Sequence, residues 1–287
     1  MKLALGTAQF GLDYGVANTR GKISSQDAKS ILDFAAQQGI DTLDTAIAYG
    51  DSEQCLGAIG VNSWHIVTKL PAIPPNTTDV VKWLCDSVQG SLKRLNCQKL
   101  HGLLLHRPAD LLSPNGEALY SGLATLRLNG VVEKIGISIY SPKELDLLWP
   151  YFHFDLIQAP FNILDNRLAA SGWFTRLRKS GVELHTRSAF LQGLLLMKKE
   201  ERPKAFGRWQ NLWDTWESWL AEQQISPLQA CLSFVLSQPE ISRIIVGVDN
   251  LSHLKEILCF KDPTFPPPTD LTCSDEDLIN PSRWSLL

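Results

Sequence analysis

The sequence predicts a closed (β/α)8 barrel of parallel strands, the TIM-barrel fold, and two observations lead to this prediction. Eight short apolar runs recur along the 287 residues, and helical patterns fill the gaps between them. Strands that alternate with helices are typical of parallel sheets, and eight such units favour closure into a barrel. We therefore expect a single domain over residues 1–287, in which a Pro-rich tail from about residue 261 wraps the barrel and Trp284 anchors it.

The predicted strands are rich in Leu, Ile and Val, and two of them contain the uninterrupted runs Leu103–Leu105 and Ile244–Val246. Such runs are typical of parallel strands that are buried on both faces. In chain order the predicted strands are Leu3–Thr7, Thr42–Ala46, His65–Leu70, Gly102–His106, Lys134–Ser138, Leu156–Pro160, Val182–Ser188 and Ile241–Val248. The segment Gly6–Gly11 does not match GxGxxG, and Leu12 and Asp13 stand where a P-loop requires Lys and Ser or Thr. Both of these phosphate-binding motifs are therefore absent.

Helices are predicted from apolar residues at spacings of three and four. Ser24 or Ser25 can cap a helix that runs to Gln38, with Gly39 as its C-terminal stop. A second helix is predicted over Val80–Leu95. The side chains expected on its buried face are Val81, Leu84, Val88 and Leu92. A further stripe at helical spacing, which we interpret as core packing, consists of Trp209, Trp213, Trp216 and Leu220.

The composition argues against several classes of function. The formal net charge is -3, the pI is about 6.1 and no Lys/Arg run is present, so we expect no nucleic-acid partner. No apolar run approaches the roughly 18 residues that a membrane span needs, and the first apolar stretch is too short for a signal peptide. The six cysteines are scattered without a CxxC pair, which is typical of reduced thiols in a cytoplasmic protein. No protein partner is implied.

Polar side chains follow the C-terminal ends of three consecutive predicted strands. Asp44 lies near the end of the second strand, Lys69 near that of the third and His106 at that of the fourth, while Tyr49 comes shortly after Asp44. In a barrel of this kind the active site is built at this end of the strands, so the four side chains are expected to meet. A lysine and an aspartate in apolar strands are costly to bury unless each finds a partner, and these two can pair with each other.

These residue types suit proton transfer to a carbonyl oxygen. A free tyrosine has a pKa of about 10, and the ammonium of Lys69 is expected to lower it while Asp44 holds Lys69 in place. His106 is suited to hydrogen-bond the substrate oxygen and direct it toward Tyr49. Together they would protonate a carbonyl oxygen as a hydride arrives at the carbon. A purely structural ion pair between Asp44 and Lys69 is the alternative.

The sequence closely resembles the aldo-keto reductase family over essentially the whole chain. The resemblance is carried above all by Asp44-Thr45-Ala46-x-x-Tyr49-Gly50, Thr68-Lys69 and Leu105-His106-Arg107-Pro108, in the family's order. Further matches are Gly6-Thr7, Ile137-Ser138, Gln158, Asn162, Ser188, Gln192-Gly193-Leu194-Leu195, Ile245-Val246-Gly247 and Leu254-x-Glu256. The resemblance implies a barrel enzyme that reduces an aldehyde, a ketone or a sugar-like carbonyl, or oxidises the corresponding alcohol, with NADP(H) or NAD(H).

The resemblance also implies roles for individual residues. The implied catalytic tetrad, in which Tyr49 is the general acid, consists of Asp44, Tyr49, Lys69 and His106. The residues implied in cofactor binding are Gly6, Thr7, Asp44, Ser138, Gln158, Arg187, Ser188, Gln192, Gly193, Gly247, His253 and Glu256. Ser138 and Gln158 would hold the nicotinamide carboxamide, residues 188–193 the pyrophosphate, and Gly247 and Glu256 the adenosine end. No metal is implied.

Three departures from the family pattern concern the cofactor. Arg187 stands where the family commonly places an aromatic ring against the nicotinamide. Its guanidinium can lie against that ring or reach the cofactor pyrophosphate, and the bidentate acceptors there favour the pyrophosphate. The usual residues that bind a 2′-phosphate are replaced by Val248, Asp249 and His253, so we expect a weaker preference for NADP(H) than is usual in the family. Ile257 replaces the Asn beside the adenine.

The substrate pocket is expected to be shaped by residues that follow several strands. They are Phe10, Tyr14, Tyr49, His106, Arg107 and Phe161, together with the tail near Trp284. Their aromatic and basic groups suit a polar or anionic carbonyl compound only weakly. A second function stays open, namely a nucleotide-binding regulatory subunit with little turnover, similar to the channel-associated members of the family. Turnover of generic aldehydes distinguishes the two functions.

Overall fold

In the structure, a computed structural model that describes residues 1–260 and 271–286, eight parallel strands form one closed barrel. Each strand pairs with the next along the chain, and the first closes the barrel by pairing with the eighth. The strands are β1 (Leu3–Gly6), β2 (Thr42–Asp44), β3 (His65–Leu70), β4 (Leu100–Leu105), β5 (Val132–Ser138), β6 (Leu156–Pro160), β7 (Glu183–Arg187) and β8 (Arg243–Gly247). The predicted (β/α)8 barrel is confirmed.

Helices alternate with the strands along the chain. They are α1 (Ser25–Gln37), α2 (Ser52–Ile59), α3 (Val80–Leu95), α4 (Gly116–Leu128), α5 (Pro142–Leu148), α6 (Arg167–Ala170), α7 (Trp173–Lys179), α8 (Gln210–Gln223), α9 (Pro227–Leu236), α10 (Leu251–Cys259) and α11 (Glu276–Ile279).

The predicted first helix is confirmed, and Ser24 caps it by accepting a hydrogen bond from the backbone N–H of Asp27. The buried face of α3 includes Val80 rather than the predicted Val81, which is 42% exposed, because Val80 begins the row of residues four apart that continues through Leu84 and Val88.

An apolar layer inside the barrel supports a polar layer above it. The apolar cluster consists of Val67, Leu104 and Leu156, each fully buried. Because residues two apart in a strand share a face, the next side chains on these faces are Lys69, His106 and Gln158. A larger core includes Trp213 and Trp216, which are 1% exposed, so the tryptophan stripe does serve packing. The polar layer therefore lies at the C-terminal end of the strands.

The described part of the C-terminal tail, residues 271–286, contacts the segment before α8. The indole Nε1 of Trp284 donates to the Leu278 carbonyl at 3.1 Å, and its ring packs edge-on against Phe206 with centroids 4.9 Å apart. The Pro residues that led to the predicted wrapping of the barrel lie in 261–270, outside the described residues, so the wrapping stays a prediction. No helix in the described ranges is long and apolar enough to cross a membrane.

Candidate active site

A buried ion pair joins the ends of β2 and β3. Lys69 Nζ donates to Asp44 Oδ2 at 2.7 Å and to the Thr45 carbonyl at 2.8 Å. Asp44 and Lys69 are 4% and 1% exposed. The other carboxylate oxygen of Asp44, Oδ1, accepts from Gln158 Nε2 at 2.6 Å. Each buried charge is therefore compensated, as burial requires, and Gln158 extends the network to β6.

The residue that follows β1 holds the end of β2 in place. The Asp44 carbonyl accepts from the backbone N–H of Thr7 at 2.9 Å and from its hydroxyl at 3.0 Å. Ser52 Oγ donates to the Thr7 carbonyl at 2.8 Å, and Thr7 is fully buried. The Thr7 hydroxyl therefore fixes the strand that carries Asp44, and the expectation that Thr7 also binds the cofactor stays a prediction.

The loop after β2 places Tyr49 beside the ion pair. This loop and the one after β1 approach so closely that a Cβ at Gly11 would overlap the Tyr49 carbonyl oxygen. A Cβ at Gly50, whose φ is +53°, would overlap the carbonyl oxygen of Gly11, so both positions require glycine. The Tyr49 hydroxyl lies 3.5 Å from Lys69 Nζ, and the ammonium lies 5.0 Å from the centroid of the Tyr49 ring.

His106 is the neighbour of Tyr49 on the other side of the site. The two ring centroids are 6.0 Å apart and the ring planes meet at 81°. Burial lowers the pKa of His106 to about 4, and the positive charges of Lys69 and Arg187 act in the same direction. The imidazole is therefore neutral at pH 7. A neutral imidazole keeps one N–H donor, which suits a hydrogen bond to a carbonyl oxygen.

The pKa of Tyr49 differs in direction from the expectation. Burial raises this pKa above its ordinary value, and the Asp44 carboxylate adds to the rise while Arg187 opposes it. Lys69 was expected to lower the pKa, and that expectation is wrong here, because the ammonium is paired with Asp44 at 2.7 Å and is farther from the phenol. Tyr49 is therefore a neutral phenol at pH 7, which can give a proton but not take one.

The residues assigned to the nicotinamide and the pyrophosphate lie on adjoining elements. Ser138 faces Gln158 in the β5–β6 register, and its Oγ donates to Gln158 Oε1 at 3.2 Å. The residues with left-handed φ in the loop after β7 are Ser188, Leu191, Gln192 and Gly193, at 63°, 48°, 52° and 87°. In this loop the backbone N–H groups of residues 189 and 190 donate to no backbone oxygen of the described chain. Free amides in such a loop suit an anion, so these residues fit the pyrophosphate of a dinucleotide.

Arg187, the last residue of β7, lies at the same end of the barrel. Its Nη2 donates to the Ile139 carbonyl at 3.0 Å and its Nη1 to Ser188 Oγ at 3.4 Å. The guanidinium carbon lies 4.4 Å from the centroid of the Tyr140 ring. The sequence reasoning did not select Tyr140, although its position two residues after Ser138, just beyond the C-terminal end of β5, could have indicated it.

The residues assigned to the adenosine end follow β8. Gly6 and Gly247 lie in register at the ends of β1 and β8. At the start of α10, Asp249 Oδ2 lies 3.7 Å from His253 Nδ1. Glu256 is exposed on the same helix. The structure therefore places the Asp249 carboxylate beside the His253 imidazole, which would have to contact a 2′-phosphate.

Two of the predicted substrate residues belong to the core. Phe10 and Phe161 are each 1% exposed. The Phe161 ring stacks on Phe234 with centroids 5.0 Å apart and contacts Phe174 at 4.9 Å. The prediction that Phe10 and Phe161 shape the pocket is therefore wrong, because these rings pack between strands and helices although they follow strand ends.

Arg107 and Tyr14, the predicted substrate residues that belong neither to the core nor to the proposed tetrad, are accessible but already have partners. Arg107 is exposed, and its Nε donates to Asp110 Oδ1 at 2.7 Å, so its charge is compensated. Tyr14 is 39% exposed, and its hydroxyl accepts from Gln192 Nε2 at 3.2 Å. This bond joins the loop after β1 to the loop after β7. Over residues 1–260 and 271–286, no group of three or more His, Cys, Asp or Glu side chains is arranged to hold a metal ion.

Comparison with known proteins shows the family to which the chain belongs. Residues 2–262 match the sequence profile described as "Aldo/keto reductase family". The uncharacterized oxidoreductase YqkF of Bacillus subtilis (strain 168) is 24% identical over 278 residues, which cover 89% of each chain. The holo form of the aldo-keto reductase AKR11C1 from Bacillus halodurans has the same fold, with a TM-score of 0.73 at 19% identity over 92% of this chain and 88% of that one. Because the profile match spans most of the sequence, the chain belongs to the aldo-keto reductase family.

Proposed function

We propose that this protein is a carbonyl oxidoreductase that uses NADP(H) or NAD(H), with Tyr49 as its general acid. Family membership and a relative named as an oxidoreductase support the general activity. The observation that carries the residue assignment is the convergence of Tyr49, the Asp44–Lys69 pair and His106 at the C-terminal ends of three adjacent strands. The proposed substrate is an aldehyde, a ketone or a sugar-like carbonyl compound.

The chain's own residues handle the carbonyl oxygen. A bound cofactor would supply the hydride at the carbonyl carbon. Neutral His106 donates a hydrogen bond to the oxygen, and Tyr49 transfers its proton as negative charge develops there. Lys69 stabilises the phenolate that is left. Burial lowers the pKa of Lys69, and the Asp44 carboxylate opposes this shift.

The cofactor would lie across the same end of the barrel. Ser138 and Gln158 would bind the carboxamide, and the loop 188–193 would bind the pyrophosphate through its free amides. Gly247 and Glu256 would contact the adenosine end, with Gly6 leaving room at the end of β1. Asp249 and His253 at the start of α10 support the proposal of a weaker preference for NADP(H), because a carboxylate there repels a 2′-phosphate.

The test combines turnover with binding. Purified protein is titrated with NADPH and NADH by fluorescence, and cofactor oxidation is followed with a panel of aldehydes, ketones and aldoses. Turnover of at least one carbonyl compound supports the proposal. Binding of a dinucleotide without turnover of any compound would favour the nucleotide-binding regulatory subunit instead, and failure to bind either cofactor would overturn both functions.

A further inference from the structure

Arg187 carries a positive charge that no carboxylate balances in the described structure. Other cations at this end of the barrel are paired, Lys69 with Asp44 and Arg107 with Asp110. Within residues 1–260 and 271–286, the Arg187 guanidinium forms no salt bridge, and its acceptors are a backbone carbonyl and a hydroxyl. A guanidinium has five N–H donors. Arg187 therefore retains both its net charge and free donors for a ligand.

Strand register places this charge beside the proposed carboxamide site. Ser138 faces Gln158 across β5 and β6, and Pro160 faces Arg187 across β6 and β7. Because residues two apart share a face, Arg187 is one layer above the carboxamide-binding pair. Its guanidinium turns toward β5, where it contacts the two residues directly after Ser138. One side of the guanidinium is therefore beside the site proposed for the nicotinamide, while Nη1 contacts Ser188 at the start of the loop after β7, so a binding experiment has to separate a role at the ring from a role at the pyrophosphate.

The charge also acts on the residues proposed for catalysis. Burial, Lys69 and Arg187, in that order, lower the pKa of His106. Burial and Asp44 raise the pKa of Tyr49, and the charge of Arg187 opposes this rise. Tyr49 and His106 flank the place of the reacting oxygen, so Arg187 lies within electrostatic reach of the reacting centre.

From this geometry we infer that Arg187 makes the cofactor site selective for redox state, so that it binds the reduced nicotinamide more tightly than the oxidised one. The oxidised ring carries a positive charge and the reduced ring is neutral, so an uncompensated cation beside the ring repels only the oxidised form. The inference rests on the proposed function, since it requires a nicotinamide cofactor. Its consequence is that the oxidised cofactor leaves readily after carbonyl reduction, which favours the reductive direction.

Contact with the pyrophosphate, which the sequence favoured for Arg187, has the opposite signature. Reduced and oxidised cofactors carry the same pyrophosphate, so a cation bound to it tightens both forms equally. Removing the charge would then weaken both. Removing a charge that lies beside the ring instead strengthens binding of the oxidised form, so the sign of the change separates the two roles.

The decisive experiment measures dissociation constants of the reduced and oxidised cofactors for Arg187→Met, which keeps an extended side chain without the charge. Wild type should bind the reduced form at least about 10-fold more tightly than the oxidised form. Arg187→Met should bind the oxidised form about 10-fold more tightly than wild type does, with the reduced form changed less than about 3-fold. Arg187→Lys retains the charge and should retain the selectivity, which gives a second test if Arg187→Met does not fold.

A control arginine and a truncated ligand complete the experiment. Arg176 is exposed on α7 and stacks on Trp173 at 3.9 Å, so Arg176→Met removes a stacked cation that is not among the residues proposed to bind the cofactor and should change no constant. ADP-ribose, which keeps the pyrophosphate but lacks the nicotinamide, should bind wild type and Arg187→Met equally. Weaker binding of ADP-ribose and of both redox forms would place Arg187 on the pyrophosphate and overturn the inference, as would no change for any ligand. Failure of wild type to bind any dinucleotide would instead overturn the proposed function as well.

Discussion

The ammonium of Lys69 is closer to Asp44 than to Tyr49: Nζ lies 2.7 Å from the carboxylate Oδ2 and 3.5 Å from the phenol oxygen. In the resting site the ammonium is therefore compensated by Asp44, and the phenol stays protonated. The ammonium becomes important for Tyr49 only when a phenolate forms. This order of events separates the contributions of the three side chains, so each can be tested by substitution.

Removing the Tyr49 hydroxyl should abolish proton donation and leave the site otherwise intact. We expect Tyr49→Phe to lower kcat for carbonyl reduction by at least about 10²-fold, because general acid catalysis contributes at this scale. Cofactor affinity and thermal unfolding should stay close to those of wild type. The control is Tyr151→Phe, since Tyr151 is 74% exposed and lies beyond α5. Wild-type turnover by Tyr49→Phe on every active substrate would show that another group donates the proton.

Removing the Lys69 ammonium should destabilise the fold as well as lower the activity. Lys69→Met leaves the Asp44 carboxylate buried without its cation, and breaking a buried pair costs about 3–5 kcal/mol of unfolding free energy. Urea denaturation measures this loss. The double variant Lys69→Met with Asp44→Asn should recover part of it while staying inactive. The exposed pair Lys82–Asp86 is the control, where Lys82→Met should leave the urea midpoint nearly unchanged, because exposed ion pairs contribute little to stability. Equal costs for the two single variants would argue against an uncompensated buried charge.

The two directions of the reaction should differ in their pH dependence. Burial holds the pKa of His106 at about 4, so the imidazole is neutral above this value, and burial keeps Tyr49 protonated at neutral and mildly alkaline pH. Reduction, which needs both forms, should therefore show a nearly constant kcat/KM between about pH 5 and 9. Alcohol oxidation needs the phenolate, so its kcat/KM should rise with pH over that range. Profiles of wild type and His106→Gln test this, and an inflection near pH 6.5 present only in wild type would contradict the lowered pKa.

The preference between NADP(H) and NAD(H) should depend on the start of α10. Asp249 lies 3.7 Å from His253, and removing its charge should favour a 2′-phosphate. We expect Asp249→Asn to raise NADPH affinity by about 3- to 10-fold without changing NADH affinity, and His253→Arg to act in the same direction. Fluorescence titration gives the constants, with the exposed Lys255→Met as control. A wild-type preference for NADP(H) above about 10³-fold would contradict the prediction, since the site would then already favour the 2′-phosphate by about 4 kcal/mol of binding free energy.

Local sequence patterns predicted much of this molecule because they reflect local physics. Strand and helix periods follow from the backbone, so α3 begins and ends where its apolar spacing predicted. The meeting of Asp44, Lys69 and His106 was also predictable, because strand ends of a parallel barrel converge, whereas the position of Tyr49 depends on the loop after β2. Asp44 and Lys69 pair as expected, since burial leaves two such charges few alternatives.

The amino-acid sequence by itself determined the barrel, the order of its strands and which polar side chains reach their C-terminal ends. Only the tertiary structure decided that Phe161 packs in the core, that the pKa of Tyr49 is raised, and that Arg187 lies on Tyr140 without a carboxylate. The difference has a physical reason. The face and end of a strand follow from local periodicity, whereas burial, charge compensation and ring contacts depend on residues brought together from distant parts of the chain.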